Sequence, residues 1–143
     1  MDLYEEIVMT HIVRDGFIFV SPQFNIKNTE GKTWCCPDFV ALNPSRKLVS
    51  IVEVSVADNI DALLTKVNDR DNHWIQKLKD QLIREGTVDQ TWTYLIQLFV
   101  RQDRKDYLER KIADLNGVRV EAIDDVCLRW LPKWWEAKRG EES

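Results

Sequence analysis

Apolar and polar positions in the first 58 residues follow a helical pattern and then an extended one. Apolar side chains recur at helical spacing from Leu3 to Ile12 and stop before Gly16, which predicts a helix over residues 2–14. Runs rich in β-branched and aromatic residues then predict three strands, at residues 17–27, 33–42 and 47–57. The third run is apolar on both faces, which is typical of a central strand.

Turn residues separate these three strands. Residues 28–31 (Asn-Thr-Glu-Gly) predict a hairpin turn between the first two, and residues 43–45 (Asn-Pro-Ser) predict a turn before the third. Pro22 cannot donate a backbone hydrogen bond, so it places the first strand at a sheet edge or at a bulge.

The remaining chain alternates helices and strands. We expect a helix at 59–85 with a break at 68–72, a strand at 91–100, a helix at 103–115, a strand at 118–128 and a Trp-rich helix at 130–138. This order predicts one α/β domain over residues 1–143, with a mixed sheet flanked by helices. The core covers about residues 2–100, and about residues 101–143 form a C-terminal α-β-α addition. A right-handed crossover would make the strand at 91–100 parallel to a neighbour.

The charge balance narrows the range of partners. The 143 residues include 20 Lys and Arg against 24 Asp and Glu, which gives a net charge of −4. This balance excludes a protein that holds nucleic acid by bulk positive charge alone. It leaves room for a nucleic-acid enzyme with its basic residues on one face, because residues 101–111 and 128–139 carry a local basic excess.

The N-terminus and the cysteines indicate the compartment. The first residues lack the basic segment and the apolar core of a signal peptide, and no run approaches the ~20 apolar residues of a membrane span. Cys35, Cys36 and Cys127 have no CxxC spacing and no histidine cluster, so we expect reduced thiols rather than a structural zinc site. These features predict a cytoplasmic protein that does not contact a membrane.

Two carboxylates carry the candidate chemistry. Asp38 lies in the second predicted strand and Glu53 in the third. Side chains alternate along a strand, and the intervening turn makes these strands neighbours, so the two carboxylates can converge. Carboxylates inside an apolar sheet are costly unless a cation compensates them. Mg²⁺ suits such a site because it takes carboxylate and carbonyl oxygens together with water.

Asp38, Glu53 and the strand–hairpin–strand spacing resemble the PD-(D/E)xK nuclease superfamily, which includes restriction endonucleases and Holliday junction resolvases. The restriction endonuclease-like core of that superfamily has the order α-β-β-β-α-β, which is the order predicted for residues 2–100. In the resolvase branch a helix glutamate precedes the first strand, and Glu5 is the candidate here, with Glu6 as the alternative. The resemblance implies Mg²⁺ or Mn²⁺ as cofactor, with these ligands: Asp38, Glu53, the carbonyl of Val54, and Glu5.

Ser55 departs from the family pattern, which has a lysine two positions after the glutamate. That lysine is thought to position the attacking water and to neutralise charge in the transition state. Three outcomes are open. Lys66 or Lys77 from the following helix replaces the missing lysine, or the metal acts alone while Ser55 holds the water. In the third outcome the fold has lost cleavage and retains binding.

Basic residues on the predicted helices are the candidate DNA contacts. They are Lys66, Arg70, His73, Arg101, Arg104 and Lys105. A solvated helix face explains the basic residues of 101–111 equally well. His73 could also be a general base, with capping or packing as the alternative. Gln81 could orient water or phosphate, and His11 is expected to pack on the inner face of its helix.

Tryptophans offer a second kind of nucleic-acid contact. Trp34 and Trp92 lie in predicted strands and are expected in the core. Three more tryptophans lie among basic residues near the C-terminus: Trp130, Trp134 and Trp135. Aromatic and basic residues together can stack on exposed bases and grip phosphates, and the alternative is a tail docked on the sheet or on a second subunit.

The resemblance implies a small metal-dependent endonuclease that hydrolyses DNA phosphodiester bonds. A single domain without a separate recognition module favours recognition of DNA structure, in branched or duplex form, and analogy suggests a homodimer. The rival hypothesis, which Ser55 favours, is a catalytically inactive nuclease-like module that binds nucleic acid or a protein partner. A third reading is an α/β protein in which the carboxylate spacing is coincidental.

Overall fold

The computed structural model describes residues 2–127 of the chain. Its helices are α1 (Leu3–Arg14), α2 (Asp61–Asn68), α3 (Gln76–Arg84) and α4 (Gln102–Lys111), with a π-helical segment (Asp71–Ile75) between α2 and α3. Its strands are β1 (Phe19–Pro22), β2 (Ile26–Lys27), β3 (Thr33–Cys35), β4 (Phe39–Asn43), β5 (Leu48–Ser55), β6 (Thr93–Val100) and β7 (Val118–Ala122).

Helix α1 begins at a capping box. The Asp2 carboxylate accepts a hydrogen bond from the Glu5 backbone N–H at 2.8 Å, and the Glu5 side chain accepts from the Asp2 N–H at 3.4 Å. This arrangement satisfies two backbone donors that the first helical turn leaves without partners. The helix ends before Gly16, whose φ of +99° favours glycine. The predicted helix at residues 2–14 is therefore confirmed.

Five strands form a mixed sheet in the order β1-β4-β5-β6-β7. Strands β1 and β4, and also β4 and β5, pair antiparallel, whereas β5–β6 and β6–β7 are parallel. The central position of β5 and its parallel pairing with β6 are as predicted. Pro22 lies in the edge strand β1, where its missing N–H costs no ladder hydrogen bond.

The predicted strands at 17–27 and 33–42 are each broken in two, which corrects the sequence interpretation. Gln23 adopts a φ of +52° and its N–H donates to the Asp38 carbonyl, so the chain leaves the main sheet directly after Pro22. Strands β2 and β3 then form a separate antiparallel hairpin around the predicted turn at 28–31. The chain rejoins the main sheet at β4, beyond Pro37.

The break predicted at 68–72 is present, and the π-helical segment follows it. Trp74 in this segment is fully buried and packs in one apolar cluster with Leu78 of α3 and Ile51 of β5. A second cluster on the other face of the sheet contains Val8 of α1 and Val52 of β5. The sheet is therefore covered by helices on both faces, as predicted for an α/β protein.

The chain after β6 differs from prediction in one strand. Helix α4 corresponds to the predicted helix at 103–115, and Gly117 turns with a φ of +72° as expected of its position. Strand β7 ends at Ala122 and residues 123–127 are helical, so the predicted strand at 118–128 is wrong in its second half. Within this helical segment, Ile123 and Val126 pack in one apolar cluster with residues of α1. The predicted helix at 130–138, with its three tryptophans, lies outside the described residues.

No helix within residues 2–127 has the length and apolar character needed to cross a membrane.

Candidate active site

Asp38 and Glu53 lie side by side at one end of the sheet. Phe39 of β4 is directly opposite Val52 of β5, so the residues one step further on, Asp38 and Glu53, are neighbours. The alternation of β5 places Glu53 on the same face as Val49 and Ile51, which is the face covered by α2 and α3. The proximity expected from the short turn between these strands is present.

Hydrogen bonds and burial fix this carboxylate pair. The Val54 N–H donates to Asp38 Oδ2 at 2.7 Å, which ties Asp38 to the backbone of β5. Burial raises the pKa of Glu53 to about 8, and the charge of Asp38 and a hydrogen bond with it act in the same direction. Lys66 opposes the rise. Glu53 is therefore an acid held beside a like charge, and a bound cation would relieve its unfavourable ionisation.

Glu5 is a half-buried acid in the first turn of α1. Burial raises its pKa, the Asp2 N–H opposes the rise, and the charges of Asp2 and Asp38 add to it. Within residues 2–127, however, Glu5 does not form a metal-holding group of three with Asp38 and Glu53. Glu6 is exposed whereas Glu5 is half-buried, so the helix phase favours Glu5 over the alternative.

Lys66, rather than Lys77, is the lysine whose charge acts on Glu53. Lys66 on α2 lowers the pKa of Glu53. The Lys77 ammonium lies 4.0 Å from the ring centroid of Trp34 and donates to the Asn72 carbonyl at 3.1 Å. Ser55 accepts a weak hydrogen bond from the Ala57 N–H at 3.4 Å. Of the two lysines proposed to replace the family lysine, Lys77 is engaged by Trp34 and Asn72, and Lys66 is the one that lowers the pKa of Glu53.

The other candidate DNA contacts have varied surroundings. Arg101 forms ion pairs with Asp58 and with Asp103, the latter at 2.9 Å, and Lys105 lies 3.6 Å from Glu109. These basic side chains are thus partly neutralised by acidic neighbours.

Two further basic residues are less engaged. Arg70 donates to the Val67 carbonyl at 3.4 Å. The Arg104 Nε is buried and has no hydrogen-bond partner among the described residues.

His73 lies in the π-helical segment, between the β2–β3 hairpin and Trp74. Burial lowers its pKa, and the charges of Lys66 and Lys77 act in the same direction, against Asp69. Its ring packs edge-on against Trp74 at 4.9 Å between centroids, and its carbonyl accepts hydrogen bonds from the hairpin. The packing role proposed as the alternative for His73 is therefore present.

Gln81 has a structural contact that its sequence position did not indicate. Its side chain is buried, accepts from the Lys27 N–H at 2.9 Å and donates to the Asn25 carbonyl at 3.2 Å. The amide thus joins the hairpin to α3 instead of facing water or phosphate. Only the contact between distant segments reveals this role.

Trp34 is the aromatic residue that the sequence interpretation misplaced. It is 46% exposed, whereas Trp74, which was not predicted to be in the core, is fully buried. Trp34 was assigned to the core because it alternates within an extended run. The β2–β3 hairpin that contains Trp34 lies outside the main sheet. The alternation of side chains along the hairpin therefore does not direct Trp34 into the core.

The donor set suits some metals better than others. Within residues 2–127 no group of three or more His, Cys, Asp or Glu side chains is arranged to hold a metal ion. The described cysteines are free and are not gathered with histidines. An adjacent pair of carboxylates fits Mg²⁺, which usually binds one or two carboxylates and retains several waters. Asp38 and Glu53 therefore fit a magnesium-like ion and not a closed zinc site.

No protein-family model matches the chain, and no curated protein sequence matches it significantly.

Proposed function

We propose that the protein is a metal-dependent nuclease that hydrolyses phosphodiester bonds in DNA. The observation that carries this proposal is the adjacent pair Asp38 and Glu53, two half-buried acids on neighbouring strands, of which Glu53 has a strongly raised pKa. A fold gains nothing in stability from this arrangement, since burial and like charge both oppose ionisation. A strongly perturbed acid that lies beside a second acid is frequent at catalytic and metal sites.

The resemblance to the PD-(D/E)xK superfamily gives the pair its proposed role. The observed order α1, three sheet strands, α2–α3 and then β6 is compatible with a restriction endonuclease-like core. Asp38, Glu53 and the Val54 carbonyl would hold Mg²⁺ or Mn²⁺, and Glu5 would complete the site directly or through water. When bound, such a cation supplies a Lewis acid for the phosphate and for the attacking water.

The chain's own residues have complementary tasks in this proposal. The Val54 N–H fixes one oxygen of Asp38, which orients the carboxylate. Lys66 brings a positive charge to Glu53 and would hold the attacking water and offset charge on the phosphate. Lys66 thus takes the role of the family lysine, whose position in the motif is occupied here by Ser55.

The substrate and the assembly follow from the same resemblance. A single domain favours structure-directed cutting of branched or duplex DNA, and a homodimer would cut two strands. Free thiols at Cys35 and Cys36 are compatible with the cytoplasmic site predicted from the sequence.

A non-catalytic nuclease-like module is the second candidate, because Ser55 stands in place of the lysine. The Ser55 hydroxyl is turned to the backbone of Ala57, so a role in holding water is not evident. In this reading the acidic pair would be a remnant, and the chain would bind nucleic acid or a protein partner.

A cleavage assay separates the two candidates. Branched, single-stranded and duplex DNA are incubated with the wild type, Asp38→Asn and Glu53→Gln, in Mg²⁺, Mn²⁺ or chelator. We expect cleavage by the wild type with metal only, and none by either variant. Asp114→Asn, an exposed carboxylate at the end of α4, is the matched control and should cleave normally. Cleavage that persists in both site variants contradicts the proposed site, and DNA binding without cleavage favours the inactive module.

A further inference from the structure

Trp34 is held in a fixed orientation although almost half of it is exposed. Its Nε1–H donates to the His73 carbonyl at 2.8 Å, and the Lys77 ammonium lies 4.0 Å from its ring centroid. A single exposed apolar side chain is ordinary on a protein surface, but most such side chains are not fixed by a hydrogen bond and a cation at once. The ring is positioned from two sides and still open to solvent.

The support beneath Trp34 is built from distant parts of the chain. The Cys35 thiol donates to the same His73 carbonyl at 3.4 Å, and Gln81 joins the hairpin to α3 through Asn25 and Lys27. The His73 carbonyl belongs to the π-helical segment, and such segments are frequent at functional sites. A short two-stranded hairpin is not stable by itself, so these contacts are what hold the ring in place.

The surroundings of Trp34 are basic and adjoin the acidic pair. Lys66 and Lys77 both act on the Cys35 thiol and on His73, which places two ammonium groups around the hairpin. Strand β3 ends at Cys35, three residues before Asp38, and the charge of Glu53 raises the pKa of the Cys35 thiol, so the hairpin adjoins the proposed site. A strand of DNA with its phosphate at Asp38 and Glu53 would therefore pass a ring flanked by positive charge.

We propose that Trp34 is a stacking platform for an unpaired base of the DNA strand whose phosphate occupies the Asp38–Glu53 site. This inference rests on the proposed nuclease function and narrows its substrate to DNA with single-stranded or splayed bases, such as a fork or a branch. Bases in continuous duplex are already stacked on their neighbours and cannot use the ring. An indole face accepts any base, so the platform contributes affinity without sequence preference.

The test measures binding with Ca²⁺ in place of Mg²⁺, because a divalent cation must lie between the carboxylates and the phosphate. Anisotropy of labelled single-stranded, forked and blunt duplex DNA is compared for wild type, Trp34→Phe and Trp34→Leu. Both variants lose the indole N–H, but only phenylalanine keeps an aromatic face. We expect Trp34→Leu to lower the affinity for single-stranded and forked DNA by about 5- to 150-fold, which is the effect of losing one base–aromatic stack. Trp34→Phe should retain most of the affinity, and blunt duplex should respond to neither variant.

A matched control and a second readout guard against hairpin disruption. Phe19→Leu changes another exposed aromatic, on the edge strand β1, and should leave DNA affinity unchanged. Single-stranded DNA carrying 5-iodouracil should photocross-link to Trp34 in the wild type, which a purely structural ring would not do.

The possible failures of the two proposals are distinguishable. Equal affinity of Trp34→Leu and Trp34→Phe for forked DNA, or a cross-link that maps elsewhere, would overturn the platform even if Asp38 and Glu53 prove essential for cleavage. If the wild type does not cleave DNA but Trp34→Leu still weakens DNA binding, the nuclease proposal is overturned and the platform is retained. A wild type that binds none of the three DNAs overturns the platform.

Discussion

Two pairs of polar side chains lie on opposite faces of the sheet, and they differ in the kinds of groups that they bring together. His11 of α1 is buried, and its Nε2 lies 3.0 Å from an oxygen of Glu121 in β7. Asp38 and Glu53 are also withdrawn from solvent, but there an acid meets an acid. The first pair matches a donor with an acceptor and contributes to stability. The second pair opposes its own ionisation, and such a cost is usually retained only where a function needs it.

The comparison implies that substitutions at the two pairs should have opposite effects. Removing a member of the His11–Glu121 pair should harm folding and leave chemistry intact. Removing the charge of Glu53 should harm chemistry and leave folding intact or improved. The same distinction separates a core polar contact from a candidate site without knowledge of any relative.

The largest expected effect is on activity at Glu53. Glu53→Gln should reduce Mg²⁺-dependent cleavage by about 100-fold or more, because an amide cannot replace an anionic metal ligand. At pH values above the pKa of Glu53, the free energy of unfolding of the Glu53→Gln variant should equal or exceed that of the wild type. Single-turnover cleavage and urea denaturation measure the two quantities. A variant that cleaves normally and unfolds more easily would reverse the interpretation of this pair.

The next effect is on stability at His11. His11→Ala should lower the free energy of unfolding by about 2 kcal/mol, because it opens a small cavity and removes the partner of Glu121. His11→Gln keeps a donor and should lose less. Urea denaturation gives both values, and single-turnover cleavage by His11→Gln should match the wild type. An unchanged midpoint for His11→Ala would show that this contact does not stabilise the fold.

A smaller effect is the pH dependence of stability without metal. The pKa of Glu53 is about 8 in the folded protein and near 4.5 in the unfolded chain, so the folded state binds the proton more tightly between these values. The free energy of unfolding should therefore fall as pH rises through this window, by about 1–2 kcal/mol from this group. Glu53→Gln should flatten the decline, as denaturation at a series of pH values would reveal. An equal slope in both proteins would contradict the raised pKa.

The smallest effect is stabilisation by the metal itself. Above the pKa of Glu53, Mg²⁺ at several times its dissociation constant should raise the free energy of unfolding by about 1 kcal/mol. Neither Asp38→Asn nor Glu53→Gln should respond, and His11→Gln should respond like the wild type. Thermal melts at matched ionic strength measure this, and stabilisation that survives in both site variants would place the ion elsewhere.

The sequence predicted most of the sheet because its signals are local. Runs of β-branched and aromatic residues identified the segments that form β4, β5 and β6, and the turn at residues 43–45 made the first two neighbours. From these two facts the adjacency of Asp38 and Glu53 follows, since side-chain direction has a fixed period of two. The order of helices and strands predicted that β6 runs parallel to a neighbour, and the structure identifies that neighbour as β5.

The sequence could not predict the contacts that cross between segments. Trp34 lies in an extended run predicted to be in the core, yet it is 46% exposed because the chain turns out of the main sheet at Gln23. Lys77 was the lysine predicted to be catalytic, with Lys66 as the alternative, but Lys77 contacts Trp34 whereas Lys66 lowers the pKa of Glu53. Gln81 has a binding partner 54 residues away in sequence, which no local pattern encodes.

By itself, therefore, the sequence determined the elements, the central strand and the meeting of two acids on neighbouring strands. Only the tertiary structure decided what surrounds those acids: burial that raises the pKa of Glu53, the approach of Glu5 and Lys66, and the hairpin that presents Trp34 beside them. The physical reason is that periodicity and turns act over a few residues. Desolvation and charge–charge interactions depend instead on distances that exist only once α1, α2 and the hairpin are packed against the sheet.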